Sequence, residues 1–320
     1  MRLKLNRKVF FIFRILVSFA LLFALFKFVP YRQLKEIYRD SHKIYILLGF
    51  VIFFFLHIIG VGRWRCILLS LGIKVRWREA LYAFFSGLFF NLFFLSFVAG
   101  DTFRGFGLSH RYGNLKGIAS SVLMDRLSGA VALNCVALIS FLIGRHLLPQ
   151  REVLFALILL SLIIGGAALI IFSKTFFSCM LVIFKKESFF KKQLMTFHDQ
   201  LYFFRQHPKA FMRTLAYSFP IQLLTPLSFF VVSKAFGLQL PILYFFIVVP
   251  IVCAIALIPI TIAGAGTREA ATVYFFSLVG VAKSIGLGIS LLNLVFIIIL
   301  GILGGVLYVS VYHRWLQPHS

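Results

Sequence analysis

Charged side chains lie beside helix-breaking residues in an apolar part of this sequence. Residues 259–269, Pro-Ile-Thr-Ile-Ala-Gly-Ala-Gly-Thr-Arg-Glu, separate two long apolar runs. Pro259 lacks a backbone N–H donor, and Gly264 and Gly266 disfavour a helical backbone. We therefore predict a helix break here, next to an arginine and a glutamate. A lipid-exposed break would leave backbone amides unpaired, so this one must be buried in protein or line a polar cavity.

A second stretch repeats part of this pattern. Residues 99–104 and 263–268 share the pattern Ala-Gly-x-x-x-Arg, and each follows an apolar run. Gly100 is accordingly another candidate helix break. Arginine suits phosphate because its planar guanidinium donates two parallel hydrogen bonds. We therefore predict that Arg104 and Arg268, brought together from the two halves, bind a phosphate group.

The composition indicates a polytopic membrane protein. Hydrophobic residues make up 61% of the 320 residues and charged residues 13%, and the mean hydropathy is +0.98. An apolar run of about 17–25 residues can cross a bilayer as a helix. The predicted phosphate is then that of an anionic lipid headgroup. Full spans are predicted at residues 9–29, 44–60, 117–143, 153–172, 214–233 and 285–311.

Three carboxylates lie within or beside the apolar segments: Asp101, Asp125 and Glu269. A charged side chain at the centre of a membrane helix costs about 2.5–3.5 kcal/mol, so we expect these residues to pair with arginines or to act in gating. Asp101 and Arg104 can pair on one helix face. Asp125 and its neighbour Arg126 point about 100° apart, so their partners must come from elsewhere.

Two more residues complete the predicted headgroup site. Arg126 is included because packing rarely requires an intramembrane arginine. Asn91 lies inside an apolar run, where its amide can either cap a broken helix or bond the headgroup. The sequence leaves both roles open.

Two further apolar runs, residues 80–98 and 241–262, are predicted to be re-entrant or broken helical hairpins. With this threading, most of the 33 Lys and Arg fall on the inner side, as the positive-inside rule requires. The N-terminus is then cytoplasmic. We predict an all-α, polytopic integral membrane bundle, a single domain over residues 1–320, located in the cell (inner) membrane.

The spacing of the two Ala-Gly-x-x-x-Arg copies also predicts internal symmetry. Three predicted spans separate the copies, which places them on opposite sides of the bilayer, as in an inverted repeat with discontinuous helices. Residues 1–150 and 151–320 are the candidate repeats. Residues 174–213 are predicted to be a cytoplasmic, amphipathic, basic segment. It either lies on the membrane surface or packs on the ends of the spans.

Several other functions are not indicated. The formal charge of +24 arises from Lys and Arg placed mostly in short connections between apolar runs, where they face anionic headgroups rather than nucleic acid. The four cysteines and eight histidines show no metal-ligand or disulfide spacing, so we expect no metal and no cofactor. No nucleophile elbow or phosphate-binding glycine loop is present, and an enzyme is not expected.

Three patches of this sequence are shared with a known family. They are Asn91 followed by Gly100-Asp101-x-x-Arg104, then residues 121–127 (Ser-Val-Leu-Met-Asp-Arg-Leu), then Pro259-x-x-x-x-Gly264-x-Gly266-Thr267-Arg268-Glu269. With them the chain resembles the transmembrane family of lysylphosphatidylglycerol synthases, also called flippase-like proteins. One departure is Ser96, where the family usually has a proline.

The resemblance implies a role in translocating a lipid or in supplying a lipid-linked substrate. Larger members carry a soluble aminoacyl transferase domain, and this sequence ends soon after its last predicted span, so aminoacyl transfer is not expected. We predict a flippase-like protein that translocates or presents an anionic phospholipid or polyprenyl-phosphate-linked lipid. The alternative is a non-catalytic membrane subunit that docks a glycosyltransferase or another lipid-modifying enzyme. The oligomeric state is left open.

Overall fold

The described part of the chain is mostly helical. A computed structural model describes residues 31–93, 97–144, 151–182, 189–257, 261 and 264–312, which contain twelve α-helices and no strand. This confirms the predicted all-α class. The helices are α1 Tyr31–Asp40, α2 Lys43–Ser70, α3 Trp77–Phe93, α4 Phe97–Tyr112, α5 Leu115–Gly144, α6 Arg151–Phe172, α7 Lys174–Val182, α8 Phe189–Gln206, α9 Pro208–Ala235, α10 Ile242–Leu257, α11 Thr267–Ser277 and α12 Lys283–Leu307.

Five helices are long and apolar enough to cross a membrane: α2, α5, α6, α9, and α12 with its continuation to Val311. They correspond to five of the six predicted spans. The sixth, residues 9–29, lies outside the described residues. The predicted end of this span was wrong, because the sequence predicts that it ends at residue 60 whereas α2 runs to Ser70. This extension carries Arg63 into the bundle, where it is buried.

The predicted bounds of the first hairpin, residues 80–98, were wrong, because most of these residues form the single helix α3, and the hairpin consists of α3 and α4, which pack along each other. Its return arm is a full helix, although the sequence predicts a connecting segment from residue 99. Gly100 is therefore not a helix break, contrary to the prediction, because it lies inside the first turn of α4. A Cβ at Gly100 would lie 2.0 Å from the carbonyl oxygen of Gly87. Glycine is required at this position because α3 approaches α4 closely here, and not because the helix breaks.

The second hairpin consists of α10 and α11, so its predicted bounds, residues 241–262, were wrong because they include only the first of these two helices. The helical backbone is interrupted between the two arms. Helix α10 ends at Leu257 and α11 begins at Thr267. Gly264 and Gly266 have φ values of 74° and 90°, a left-handed region that residues with a Cβ rarely adopt. Pro259 lies outside the described residues.

The two hairpins exchange partners between the halves of the bundle through their first arms, while their second arms, α4 and α11, pack against α5 and α12 of their own halves. Helices α2 and α9 pack along each other at the centre. The first hairpin packs against α12 through α3, and the second packs against α5 through α10. Each hairpin therefore lies against the long helix that follows the other hairpin in the chain.

Residues 174–213 are largely helical, and their last residues belong to α9. Leu201 and Phe204 of α8 are buried in a cluster with Met124 and Leu127 of α5. At least this end of α8 packs on the ends of the spans, one of the two arrangements that the sequence leaves open. His198 stacks on the ring of Phe177 with centroids 3.8 Å apart, and burial lowers the pKa of this imidazole.

Replacing Gly304 by alanine is expected to destabilise the bundle. A Cβ at this position would lie 2.0 Å from the carbonyl oxygen of Phe85 in α3, so α12 and α3 would have to separate. Overpacking of this kind typically costs about 1–3 kcal/mol. The midpoint of thermal unfolding in detergent measures the loss.

Gly165→Ala in α6 is the matched control, because a Cβ there would meet nothing within 4 Å. Alanine favours a helix over glycine by about 1 kcal/mol, so this variant should unfold at the same temperature or slightly higher. Equal midpoints for the two variants would contradict the close contact at Gly304.

Candidate functional site

A cavity of about 520 Å³ lies where the two hairpins meet, and we call it the polar cavity because several charged residues are among those that line it. Asn91 near the end of α3 and Leu257 at the end of α10 both line it, so both hairpin tips contribute. Long helices α2, α5, α9 and α12 supply the remaining walls. The charged residues that line it are Arg63, Asp101, Arg104, Asp125, Arg126 and Arg268.

Asp125 joins three helices at one side of this cavity. Its Oδ1 accepts a hydrogen bond of 2.6 Å from Nε of Arg63 in α2. Its Oδ2 accepts one of 3.0 Å from a terminal nitrogen of Arg104 in α4. All three residues are buried. The sequence predicts that Asp125 pairs with residues other than the adjacent Arg126. Neither Arg63 nor Arg104 is that neighbour, so the structure agrees with this prediction.

Asp101 extends this arrangement toward the outside of the protein. Its two carboxylate oxygens form ion pairs of 3.1 Å with Arg104 and 2.7 Å with Nε of Arg126. Arg63, Asp125, Arg104, Asp101 and Arg126 therefore alternate in sign along one continuous series, which we call the ion-pair chain. The side chain of Arg126 is 42% exposed, so the chain runs from the buried interior to the protein surface.

Arg104 holds the middle of the ion-pair chain and keeps one donor free. The residue is only 4% exposed, and its Nε has no hydrogen-bond partner. The guanidinium lies 4.8 Å from the ring centre of Trp64 and 5.2 Å from that of Phe84, where cation–π attraction holds it. Trp64 is itself fixed by a 3.0 Å hydrogen bond from its indole nitrogen to Ser121. A buried donor without a partner is costly, and Arg104 is one of the residues that line the cavity.

Arg268, which also lines the cavity, belongs to a second ion pair. Nε and a terminal nitrogen of Arg268 donate to Oε1 of Glu269 at 3.1 and 2.7 Å. The other oxygen, Oε2, accepts the backbone N–H of Gly266 at 2.6 Å. Ser290 of α12 donates to Oε1 at 3.3 Å. The fully buried Glu269 carboxylate thus ties together the glycine turn, the start of α11 and the last long helix.

Asn91 caps the return arm of the first hairpin. Its Oδ1 accepts the backbone N–H of Gly100 at 2.9 Å, which satisfies one of the unpaired donors in the first turn of α4. Of the two roles that the sequence leaves open, the structure places the side-chain oxygen in the capping role. Asn91 also lines the cavity, and headgroup binding by its amide nitrogen stays a prediction.

The sequence did not identify Arg63 as a site residue. Its signal was available, because residues 43–70 form one apolar stretch long enough for a single helix. A charge inside such a stretch is a site candidate by the same argument that identified Asp125. His57, Gln222 and Asn293 also line the cavity and were not predicted.

The two ion-pair groups do not balance. They contain four arginines and three carboxylates, so one positive charge is in excess around the cavity. The site is therefore suited to hold an anion. Within the described residues, no group of three or more His, Cys, Asp or Glu side chains could hold a metal ion.

An all-α bundle with membrane-length helices and a cationic internal cavity defines a polytopic membrane protein that can hold an anionic group among its helices. Residues 11–305 match the family model described as Lysylphosphatidylglycerol synthase TM region. The chain belongs to this family, as the sequence patches predict. No curated protein matches it, and no solved structure does.

Proposed function

We propose that this protein translocates or presents an anionic, phosphate-bearing lipid whose headgroup binds in the cavity. The single observation that carries the proposal is the unpartnered Nε of buried Arg104 beside a cavity with one positive charge in excess. A phosphate would compensate that charge and accept from that donor. Membership of a lipid-related membrane family supports the same substrate class.

The ion pairs give this site a means of releasing its ligand. Arg104 shares Asp101 and Asp125, and Arg268 shares Glu269. A bound phosphate competes with these carboxylates for the same guanidinium donors, which form charge-assisted hydrogen bonds with either. Binding thus replaces internal pairs, and re-formation of the pairs favours departure of the lipid.

The exchanged packing of the hairpins supports an inverted repeat of residues 1–150 and 151–320. The pairing of α3 with α12 corresponds to the pairing of α10 with α5 when the halves are interchanged. Three membrane-length helices, α5, α6 and α9, separate the hairpins in the chain, which favours their approach from opposite sides of the bilayer. Movement of one half against the other would expose the cavity to each side in turn. The cell membrane with a cytoplasmic N-terminus is the proposed location.

Arg104→Gln is the variant that tests this function best. Asp125 retains Arg63, and Asp101 retains Arg126, so every carboxylate of the ion-pair chain keeps a partner and the fold should persist. The cavity loses its excess charge and the free donor. Hydrogen bonds to charged groups contribute about 1.5–3 kcal/mol, so we expect transport of an anionic lipid to fall roughly tenfold or more.

Transport is measured with the purified protein in vesicles containing fluorescent phosphatidylglycerol, with a membrane-impermeant quencher reporting the accessible fraction. Binding of the same lipid is measured in detergent. Arg39→Gln is the control, because Arg39 pairs with Asp40 at the exposed surface, and it should match the wild type. A protein that binds the lipid but does not move it would support presentation. If Arg104→Gln leaves both binding and transport unchanged, the proposed function is wrong.

A further inference from the structure

A second cavity, of about 510 Å³, lies on the other side of the Asp101–Arg126 ion pair. It is formed between α4 and α5, and its walls are almost wholly apolar. We call it the side groove. The residues that shape it are Gly105, Phe106, Leu115, Ala119, Val122 and Leu123.

The side groove shares part of its lining with the polar cavity. Asp101, Arg126 and Leu257 line both spaces, so the Asp101–Arg126 pair forms the boundary between them. This pair is the outer end of the ion-pair chain. A ligand that passes this boundary would have its anionic part among the arginines and its apolar part in the side groove.

The side groove is also open to the surroundings of the helices. Phe106 is 61% exposed and Leu115 is 59% exposed, although both are large and apolar. Small side chains at Gly105 and Ala119 leave the space between α4 and α5 unfilled. From Leu115 to Arg126, α5 rises about 16 Å at 1.5 Å per residue. The groove therefore extends along this part of α5, with charge at one end.

We infer that the side groove binds the hydrocarbon chain of the lipid whose headgroup lies in the polar cavity. The inference rests on the proposed function and adds a second binding site for the same molecule. An amphiphile carries an anionic group on an apolar chain. The anionic group suits the polar cavity and the chain suits the side groove, and the Asp101–Arg126 pair lies between the two spaces. Arg126 then lies at the junction of headgroup and chain, within reach of phosphate oxygens.

This arrangement predicts that affinity depends on the hydrocarbon chain as well as on phosphate. A chain-free phosphate ester can use only the polar cavity. A long-chain lipid can use both, and loses the second contribution if the groove is filled. Ala119→Phe fills the groove without changing a charged residue.

The test compares two probes, dioleoyl phosphatidylglycerol and water-soluble glycerol phosphate, by their dissociation constants for the protein in detergent. Ala119→Phe should weaken binding of the long-chain lipid tenfold or more and change glycerol phosphate binding less than twofold. Ala167→Phe is the matched control, because Ala167 is exposed on α6 and lines neither space. It should leave both constants unchanged.

Unchanged binding of the long-chain lipid to a folded Ala119→Phe protein would overturn the inference, as would equal weakening of both probes. Should this variant fail to fold, Leu123→Trp repeats the test from the exposed rim of the groove. Arg104→Gln tests the proposed function separately from the side groove, because it should weaken the binding of both probes. If Arg104→Gln weakens neither probe, the headgroup site itself is wrong, whatever the groove variants do.

Discussion

An Asp125→Asn protein is expected to unfold at a much lower temperature than the wild type. Asp125 is the only carboxylate that pairs with Arg63 among the described residues, and it shares Arg104 with Asp101. The neutral amide would leave Arg63 buried with its charge uncompensated. Removing one partner of a buried ion pair typically costs about 3–5 kcal/mol. Thermal unfolding in detergent, followed by the fluorescence of the three tryptophans, measures the effect.

A second substitution shows whether Asp125→Asn lowers stability through the unpaired charge of Arg63 or through altered side-chain packing. Adding Arg63→Gln to Asp125→Asn removes the stranded charge, while Arg104 keeps its ion pair with Asp101. We expect the double variant to be more stable than the single one. Asp40→Asn is the surface control and should leave the midpoint unchanged, because its pair with Arg39 is exposed. A single variant as stable as the wild type would show that the buried pair contributes no net stability.

Much of the site could be predicted from residue type alone. Charges at Asp125 and Arg268 stand out because hydrocarbon disfavours them wherever the helices pack. The angular separation of Asp125 and Arg126 also excludes their direct pairing without any knowledge of the fold. The need for partners therefore follows from the sequence. The identity of these partners depends on helix packing. The sequence alone therefore could not distinguish Arg63 from other basic residues of the same region as the partner of Asp125.

The first hairpin shows why its return arm was missed. Residues 97–112 contain three glycines and several polar side chains, a composition that favours a loop when judged locally. The helix forms because α3 packs along it, with Gly87 close to Gly100 and Asn91 capping its first turn. Tertiary contacts outweigh weak local propensity here, as they commonly do for short helices.

Gly100 and Gly264 occupy equivalent places in the two Ala-Gly-x-x-x-Arg copies but act differently. Gly264 has a positive φ and lies in a turn, whereas Gly100 is helical and lacks a Cβ because another helix is too close. A glycine in a sequence does not distinguish these two requirements. The structure separates them through backbone angle and neighbouring atoms.

Glu269→Gln is expected to bind the anionic lipid more tightly and to transport it more slowly. The variant keeps the size of the side chain but removes the charge that now compensates Arg268, so it should also unfold at a lower temperature than the wild type. If lipid phosphate and Glu269 compete for this guanidinium, losing the carboxylate should lower the dissociation constant for phosphatidylglycerol by roughly tenfold, equivalent to about 1.4 kcal/mol. The same change removes the internal partner that favours release, so the transport rate should fall.

Tighter lipid binding together with slower transport would distinguish this competition from general damage to the protein. Damage would weaken binding and slow transport together. Ser290→Ala is the control for altered packing near Glu269, because it removes only the 3.3 Å hydrogen bond from the serine and should change either quantity less than twofold. Weaker lipid binding by a folded Glu269→Gln protein would mean that Glu269 positions Arg268 for the phosphate instead of competing with it. In that case the ion pairs would stabilise the site without taking part in release.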